Sequence, residues 1–262
     1  MKYNLDVELI EREDEGDNRI TLYFSVPEGF QWEPSAHISL ALEGYNRNEI
    51  IDKEYVRKFS INTLPEDNKI GVTTRTDSSD SLYKKKISEL KVGDVCTIID
   101  SECRLPIRRE NKGIVFISMG VGMSTARPLI NAIIKNPEGI NSLTSICVNK
   151  TENYLFKEEL EAADHVLCDS KCCHNRSDLR NTINHLNNIE DNIFYIIGSR
   201  EFVQNIVTIL KENGVAKENI MIDKKEGILD GLYNGMSYDE IKQKVRDSYR
   251  DKLSKKAVLI NI

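Results

Sequence analysis

Three side chains in one short stretch have the chemistry to hold a redox ring. They are Arg57, Phe59 and Ser60, in the run Arg57-Lys58-Phe59-Ser60. An arginine presents a fixed cationic fork that matches a phosphate. Phe59, two positions on, shares a face with Arg57 if the segment is extended, and its ring can cover an isoalloxazine. Ser60 adds a small hydroxyl that can bond a ring nitrogen. Further along, Gly120-Val121-Gly122-Met123-Ser124 carries the glycines that let backbone approach a pyrophosphate at the start of a helix. The first segment can therefore hold a flavin and the second a nicotinamide. Neither pattern is specific alone, because an ordinary strand alternates polar and apolar residues and an ordinary tight turn uses Gly-x-Gly.

The elements that must position these residues change character along the chain. Short strand patterns run from Asn4 to Glu11, Arg19 to Val26, His37 to Leu42, Tyr55 to Asn62, Lys69 to Arg75 and Val95 to Asp100. Turn signals such as Pro27-Glu28-Gly29 and Val92-Gly93-Asp94 separate them. Six strands at this spacing predict a small antiparallel barrel. One helix interrupts them, with Tyr83, Ile87 and Leu90 on one face.

From Gly113 strands and helices alternate. Strands are expected at Gly113 to Met119, Leu143 to Val148, His165 to Cys168, Ile193 to Ile197 and Ile220 to Asp223. Helices are expected from the glycine turn through Ile134, around Tyr154 to Ala162, from Ser177 (as N-cap) to Leu186, and from Glu201 to Asn213 before Gly214. Such alternation predicts a doubly wound parallel sheet. The expected organisation is a barrel domain over 1–110, an α/β domain over 111–226 and a helix-strand extension over 227–262. In that extension Ser237-Tyr238-Asp239-Glu240 forms a capping box. Ile241, Val245, Tyr249 and Leu253 then recur every four residues, and Ala257 to Ile262 reads as an apolar strand.

Composition excludes several classes. With 262 residues, 40% hydrophobic and 30% charged, the chain has the balance of a globular protein. No apolar run approaches the roughly 20 residues that span a bilayer. A formal net charge of −6 argues against a general nucleic-acid binder. No export signal is evident at the N-terminus, so the expected location is cytoplasmic and the six cysteines are expected as thiols. Cys168, Cys172, Cys173 and His174 cluster, yet lack the two separated pairs of a structural zinc site. The plainer reading, a strand end followed by a loop, is the one expected over a metal or redox role.

Barrel first, glycine turn second and wound sheet last, the chain resembles the ferredoxin–NADP reductase superfamily over about residues 3 to 226. The family's R-x-[YF]-[ST] strand matches Arg57 to Ser60. By that resemblance Arg57 grips a phosphate of FAD, Phe59 packs on the ring, and Ser60, the expected catalytic residue, contacts the redox-active nitrogen N5. The strand Ile70 to Arg75, with Thr74, and the helix carrying Lys84 would receive the flavin phosphates, although the customary glycines before Lys84 are absent and Asp77 and Asp80 stand nearby. A solvated face accounts for Lys84 to Lys86 as readily as an anion site does. Gly120, Gly122 and Ser124 stand where the family writes G-x-G-x-[ST]-P, with Thr125 in place of the proline. Gly198 matches the middle of the family's C-G-P, but Ile197 replaces the cysteine and Ser199 the proline. The closing E-x-[FY] appears only as Asp223-Lys224-Lys225. Asp169, expected just after the third parallel strand, would accept a ribose hydroxyl and repel a 2′-phosphate, which leans toward NADH over NADPH; Lys171 and Arg176 stand close enough to compensate.

The resemblance implies a flavoprotein oxidoreductase moving electrons between NAD(P)H and an acceptor through bound FAD. No plant-type iron–sulfur spacing is present, so a one-electron partner would be a separate redox protein. The departures also allow another class, a non-catalytic relay or regulatory subunit of a larger complex. The C-terminal extension offers a surface for a partner or for a homo-oligomer.

Overall fold

The protein is described by a computed structural model over residues 2–47, 51–77, 80–163, 168–225 and 227–247. Its first sheet is antiparallel and six-stranded: β1 (Lys2–Gly16), β2 (Arg19–Phe24), β3 (His37–Ala41), β4 (Val56–Ser60), β5 (Ile70–Arg75) and β6 (Val95–Glu102), in the order β4-β3-β6-β1-β2-β5. The sheet curls until its outer strands β4 and β5 touch without pairing. The seam of this half-barrel thus falls between the Arg57–Ser60 strand and the strand carrying Thr74. Helix α1 (Leu82–Glu89) closes one end, started by Ser81, whose hydroxyl accepts from the Lys84 N–H at 3.3 Å. Its inward residues Tyr83 and Ile87 are fully buried among Leu22, Leu40 and Ile98.

The second sheet is parallel, with strands β7 (Lys112–Met119), β8 (Ile140–Val148), β9 (Cys168–Cys173), β10 (Ile193–Ile197) and β11 (Ile220–Ile222) in the order β11-β10-β7-β8-β9. Helices α2 (Met123–Lys135) and α3 (Lys157–Ala163) cover one face, and α4 (Arg176–Asn184) and α5 (Arg200–Glu212) the other. Central strands read as unbroken apolar runs because both faces are buried: Phe116, Ile117, Phe194, Tyr195 and Ile196 are all sealed from solvent. The expected architecture, an antiparallel barrel followed by a wound parallel sheet, is the one observed, with the barrel open as a half-barrel.

Several local expectations shift. The third parallel strand, expected at His165 to Cys168, occupies Cys168–Cys173, so the cysteine run is the strand itself; residues 165–167 lie outside the described ones. As an edge strand paired only to β8 it tolerates the polar sequence Cys-Asp-Ser-Lys-Cys-Cys. Helix α4 begins earlier than expected, because Asn175 rather than Ser177 caps it, accepting from the N–H groups of Ser177 and Asp178 at 2.9 and 3.0 Å. Tyr154 and Leu155, expected at the start of a helix, are buried in the loop before α3.

After β11 a short helix α6 (Ile228–Tyr233) and a helix over 238–247 pack on the parallel sheet's core. The expected capping box forms: Ser237 Oγ accepts from the Glu240 N–H at 3.3 Å, and Glu240 accepts from the Ser237 N–H at 2.7 Å. Ile241 is 3% exposed, while Val245, expected on the same stripe, is 42% exposed. Tyr249, Leu253 and the expected strand from Ala257 to Ile262 lie outside the described residues. Among the described residues no helix is long and apolar enough to cross a membrane, and no cluster of His, Cys, Asp or Glu could hold a metal ion.

Candidate functional site

The parallel strands all end at one place. Gly120 follows β7, Asn149 follows β8, His174 follows β9, Gly198 follows β10 and Asp223 follows β11, and all five line a cleft of about 940 Å³. The carboxyl edge of a wound sheet is where such folds bind ligands. The opposite wall comes from the barrel seam, through Phe59 and Ser60 of β4, Thr74 of β5 and Lys84 of α1. The fold thus brings eight of the expected residues together: Phe59, Ser60, Thr74, Lys84, Gly120, Gly122, Ser124 and Gly198.

Arg57 is the exception. It does not line the cleft; its guanidinium donates to the carbonyls of Lys53 and Val56 at 2.7 and 2.8 Å and lies 5.4 Å from the centre of the Tyr83 ring. The same Tyr83 ring meets Phe59, with ring centres 5.9 Å apart. Lys84, by contrast, is among the cations that line the cleft, and it donates to Thr74 Oγ1 and, at 2.8 Å, to the Arg75 carbonyl. Burial lowers its pKa from the usual lysine value, helped by the charges of Arg57 and Arg75. A phosphate here would relieve that penalty. Asp77, a sequence concern, is neutralised: it accepts from Arg75 at 3.2 Å and from Asn18 at 3.1 Å.

The glycines differ in what they do. Gly120 has φ +55°, and a Cβ there would meet nothing within 4 Å, so its bare backbone faces open cleft. Gly122 is required for packing, since a Cβ would lie 2.8 Å from the Ile197 carbonyl oxygen. At Gly198 a Cβ would strike the Phe202 ring at 2.5 Å. Ser124 turns its hydroxyl to the Val121 carbonyl at 2.6 Å, leaving the start of α2 without a side-chain cap. An uncapped helix start at the end of a strand suits an anion.

Asp169 does not sit where the sequence suggested. It lies within β9, pairs with Lys171 at 2.9 Å, and lines a different depression at the amino edge of the sheet. The residues that follow β9 at the cleft are His174, Asn175 and Arg176. The reason for leaning toward NADH therefore falls away.

Among the contacts that tie the two halves together, four stand out near the cleft. Ser60 Oγ and Thr125 Oγ1 are 2.6 Å apart. Arg127 donates to the Asn62 carbonyl at 2.8 Å while also pairing with Glu159 of α3. Arg19, nearly sealed from solvent, donates to the Asn153 carbonyl at 2.7 Å. His37 Nε2 donates to Asp223 Oδ2 at 2.9 Å. Of these residues Ser60, Thr125 and Asp223 fall within sequence motifs; His37 and Arg19 sit in strands with no motif to announce them.

No protein-family model matches the chain, and no curated protein matches it in sequence. Solved structures do match in fold. A ferredoxin NADP+ reductase from Neisseria gonorrhoeae with bound FAD and NADP aligns with a TM-score of 0.72 at 14% identity, over 84% of this chain and 98% of that one. The CS-b5R domains of human Ncb5or, in an NAD+ form, align at 0.70 and 16% identity over 86% and 70% of the two chains. The flavohemoglobin of Malassezia yamatoensis, with bound FAD and heme, aligns at 0.68 and 14% identity over 84% of this chain but 59% of that one. The chain has the two-domain fold of ferredoxin reductase-like FAD/NAD(P)-binding domains, in a divergent sequence.

Proposed function

We propose that the protein is a flavin-dependent oxidoreductase that takes electrons from a nicotinamide nucleotide and passes them to an acceptor through bound FAD. The observation that carries this reading is the single cleft lined both by the barrel seam and by the carboxyl ends of all five parallel strands. The residues present suit a flavin. Phe59 offers a ring face, Ser60 and Thr74 offer hydroxyls, Lys84 offers a partly desolvated cation, and Asp223 Oδ1 is a buried acceptor without a partner among the described residues. Gly120 leaves the room a pyrophosphate needs beside the uncapped start of α2.

Bound flavin supplies hydride acceptance from a nicotinamide and onward release of electrons. The chain's own part is alignment and exclusion. Phe59 and Ser60 fix one edge of the cleft, Gly120 allows backbone to approach the dinucleotide, and Gly122 and Gly198 let the cleft floor pack closely. Ile197, 3% exposed, presents a hydrocarbon wall where the resemblance expects a cysteine. We assign recognition of a 2′-phosphate to Arg176, which favours NADPH.

The test is the spectrum of the purified protein, followed by anaerobic addition of NADH and of NADPH. Yellow protein that bleaches supports the reading. Colourless protein that takes up neither FAD nor nucleotide refutes it. A second reading, a flavin-carrying relay subunit without its own reductase activity, draws on Ile197 in the cysteine's place; yellow protein that no nicotinamide bleaches would select it.

A further inference from the structure

The first turn of α2 is fastened to the barrel strand that would face the flavin, and it is fastened through Thr125, the residue that stands where the resembling family has proline. Proline could make no such contact. Thr125 is 4% exposed, and its Oγ1 lies 2.6 Å from Ser60 Oγ. A helical threonine ordinarily turns its hydroxyl back to the carbonyl four residues earlier. Here that carbonyl, on Val121, already accepts from Ser124 Oγ at 2.6 Å. The Thr125 hydroxyl turns instead to the neighbouring strand.

Two hydroxyls in one bond hold two protons, of which the bond uses one. The remaining proton needs room. Both residues border the cleft, but Thr125 is 4% exposed whereas Ser60 is only partly buried, so the free proton finds more room on Ser60. The arrangement that wastes neither proton has Thr125 donating to Ser60 Oγ and Ser60 directing its own O–H into the cleft. The brace from Arg127 to the Asn62 carbonyl, two residues beyond each partner, holds helix and strand together independently of this bond. Thr125 can therefore act on Ser60 without being what keeps the seam closed.

We infer that Thr125 is a positioning residue for the flavin edge, setting the Ser60 hydroxyl as a donor toward an acceptor nitrogen of the oxidised ring. This rests on the flavin reading above. It differs from that reading in what it predicts for a residue that acts on the ring through Ser60.

The test is a double-substitution cycle on FAD affinity and spectrum, using Thr125→Val, Ser60→Ala, both together, and Thr125→Ser, each in the full chain. Losing one neutral hydrogen bond in Thr125→Val should weaken FAD binding by about fivefold and shift the long-wavelength absorption band of the bound flavin. Thr125→Ser should restore both. In the Ser60→Ala background Thr125→Val should add nothing, because Thr125 acts through Ser60. Thermal unfolding of the flavin-free variants separates a loss of fold from a loss of positioning. Wild-type protein that binds FAD together with an unchanged Thr125→Val spectrum, or with additive effects, would overturn this inference alone. Wild-type protein that binds no FAD overturns the flavin reading and this inference with it.

Discussion

His37 and Asp223, 186 positions apart in sequence, meet at 2.9 Å and join the barrel to the last strand of the parallel sheet. Burial works against the ionised carboxyl, yet the hydrogen bond from His37 and the electrostatics of His37, Lys224 and Arg104 more than offset it, so the Asp223 pKa lies below the usual aspartate value. A depressed carboxyl pKa contributes stability that is complete above the unfolded value, near 4, and is lost as pH falls through the folded value. Asp223→Asn should therefore unfold more easily at neutral pH, by about 1–2 kcal/mol. The gap to wild type should close on acidification below about pH 4. Thermal unfolding at a series of pH values checks this, and an equal gap throughout would show that the charge is not what matters.

Flavin phosphate binding should depend more on Lys84 than on Arg57. Lys84 lines the cleft, whereas the guanidinium of Arg57 donates to the nearby Lys53 and Val56 carbonyls and lies over the Tyr83 ring. Lys84→Met should weaken FAD binding by about tenfold or more, as loss of a charged hydrogen bond does. Arg57→Ala should mainly lower the unfolding temperature. Equilibrium titration with FAD beside thermal unfolding separates the two, and a stronger effect on affinity from Arg57→Ala would return the phosphate to that arginine.

The two glycines of the turn should separate binding from folding. Gly120→Asn suits the left-handed backbone at φ +55° and projects a side chain into open cleft, so nucleotide binding should be lost with the fold intact. Gly122→Ala places a Cβ against the Ile197 carbonyl and should destabilise by about 1–3 kcal/mol. Titration with NADP+ and thermal unfolding of both variants check this. Retained nucleotide affinity in Gly120→Asn would move the site elsewhere.

Nucleotide choice should follow Arg176 and ignore Asp169. Arg176→Ala should raise the KM for NADPH more than that for NADH, while Asp169→Ala should change neither, since that carboxylate pairs with Lys171 away from the cleft. Steady-state kinetics with both nucleotides decide it. A selective effect from Asp169→Ala would reverse the assignment.

These residues also show what the chain's sequence makes readable. The central strands, such as Ile193–Ile197, announce themselves because burial on both faces demands continuous hydrocarbon. β9 hides because an edge strand needs no such run, and misplacing it carried Asp169 into a site it does not join. Phe59, Ser60 and Gly120 are legible from local spacing. The ties made by His37, Arg19 and Thr125 become visible only when the two sheets are set against each other, since their partners lie 186, 134 and 65 positions away.

The ties at Arg19–Asn153, Ser60–Thr125, Arg127–Asn62 and His37–Asp223 stand on several sides of the cleft. They make it a slot of fixed aperture rather than a pair of jaws. Separating the halves like a hinge would break these part-buried polar contacts together, so a ligand of the proposed kind would enter and leave by threading along the open rim and by the swing of rim side chains. The solution envelope of the protein should accordingly keep its dimensions whether the slot is empty or filled.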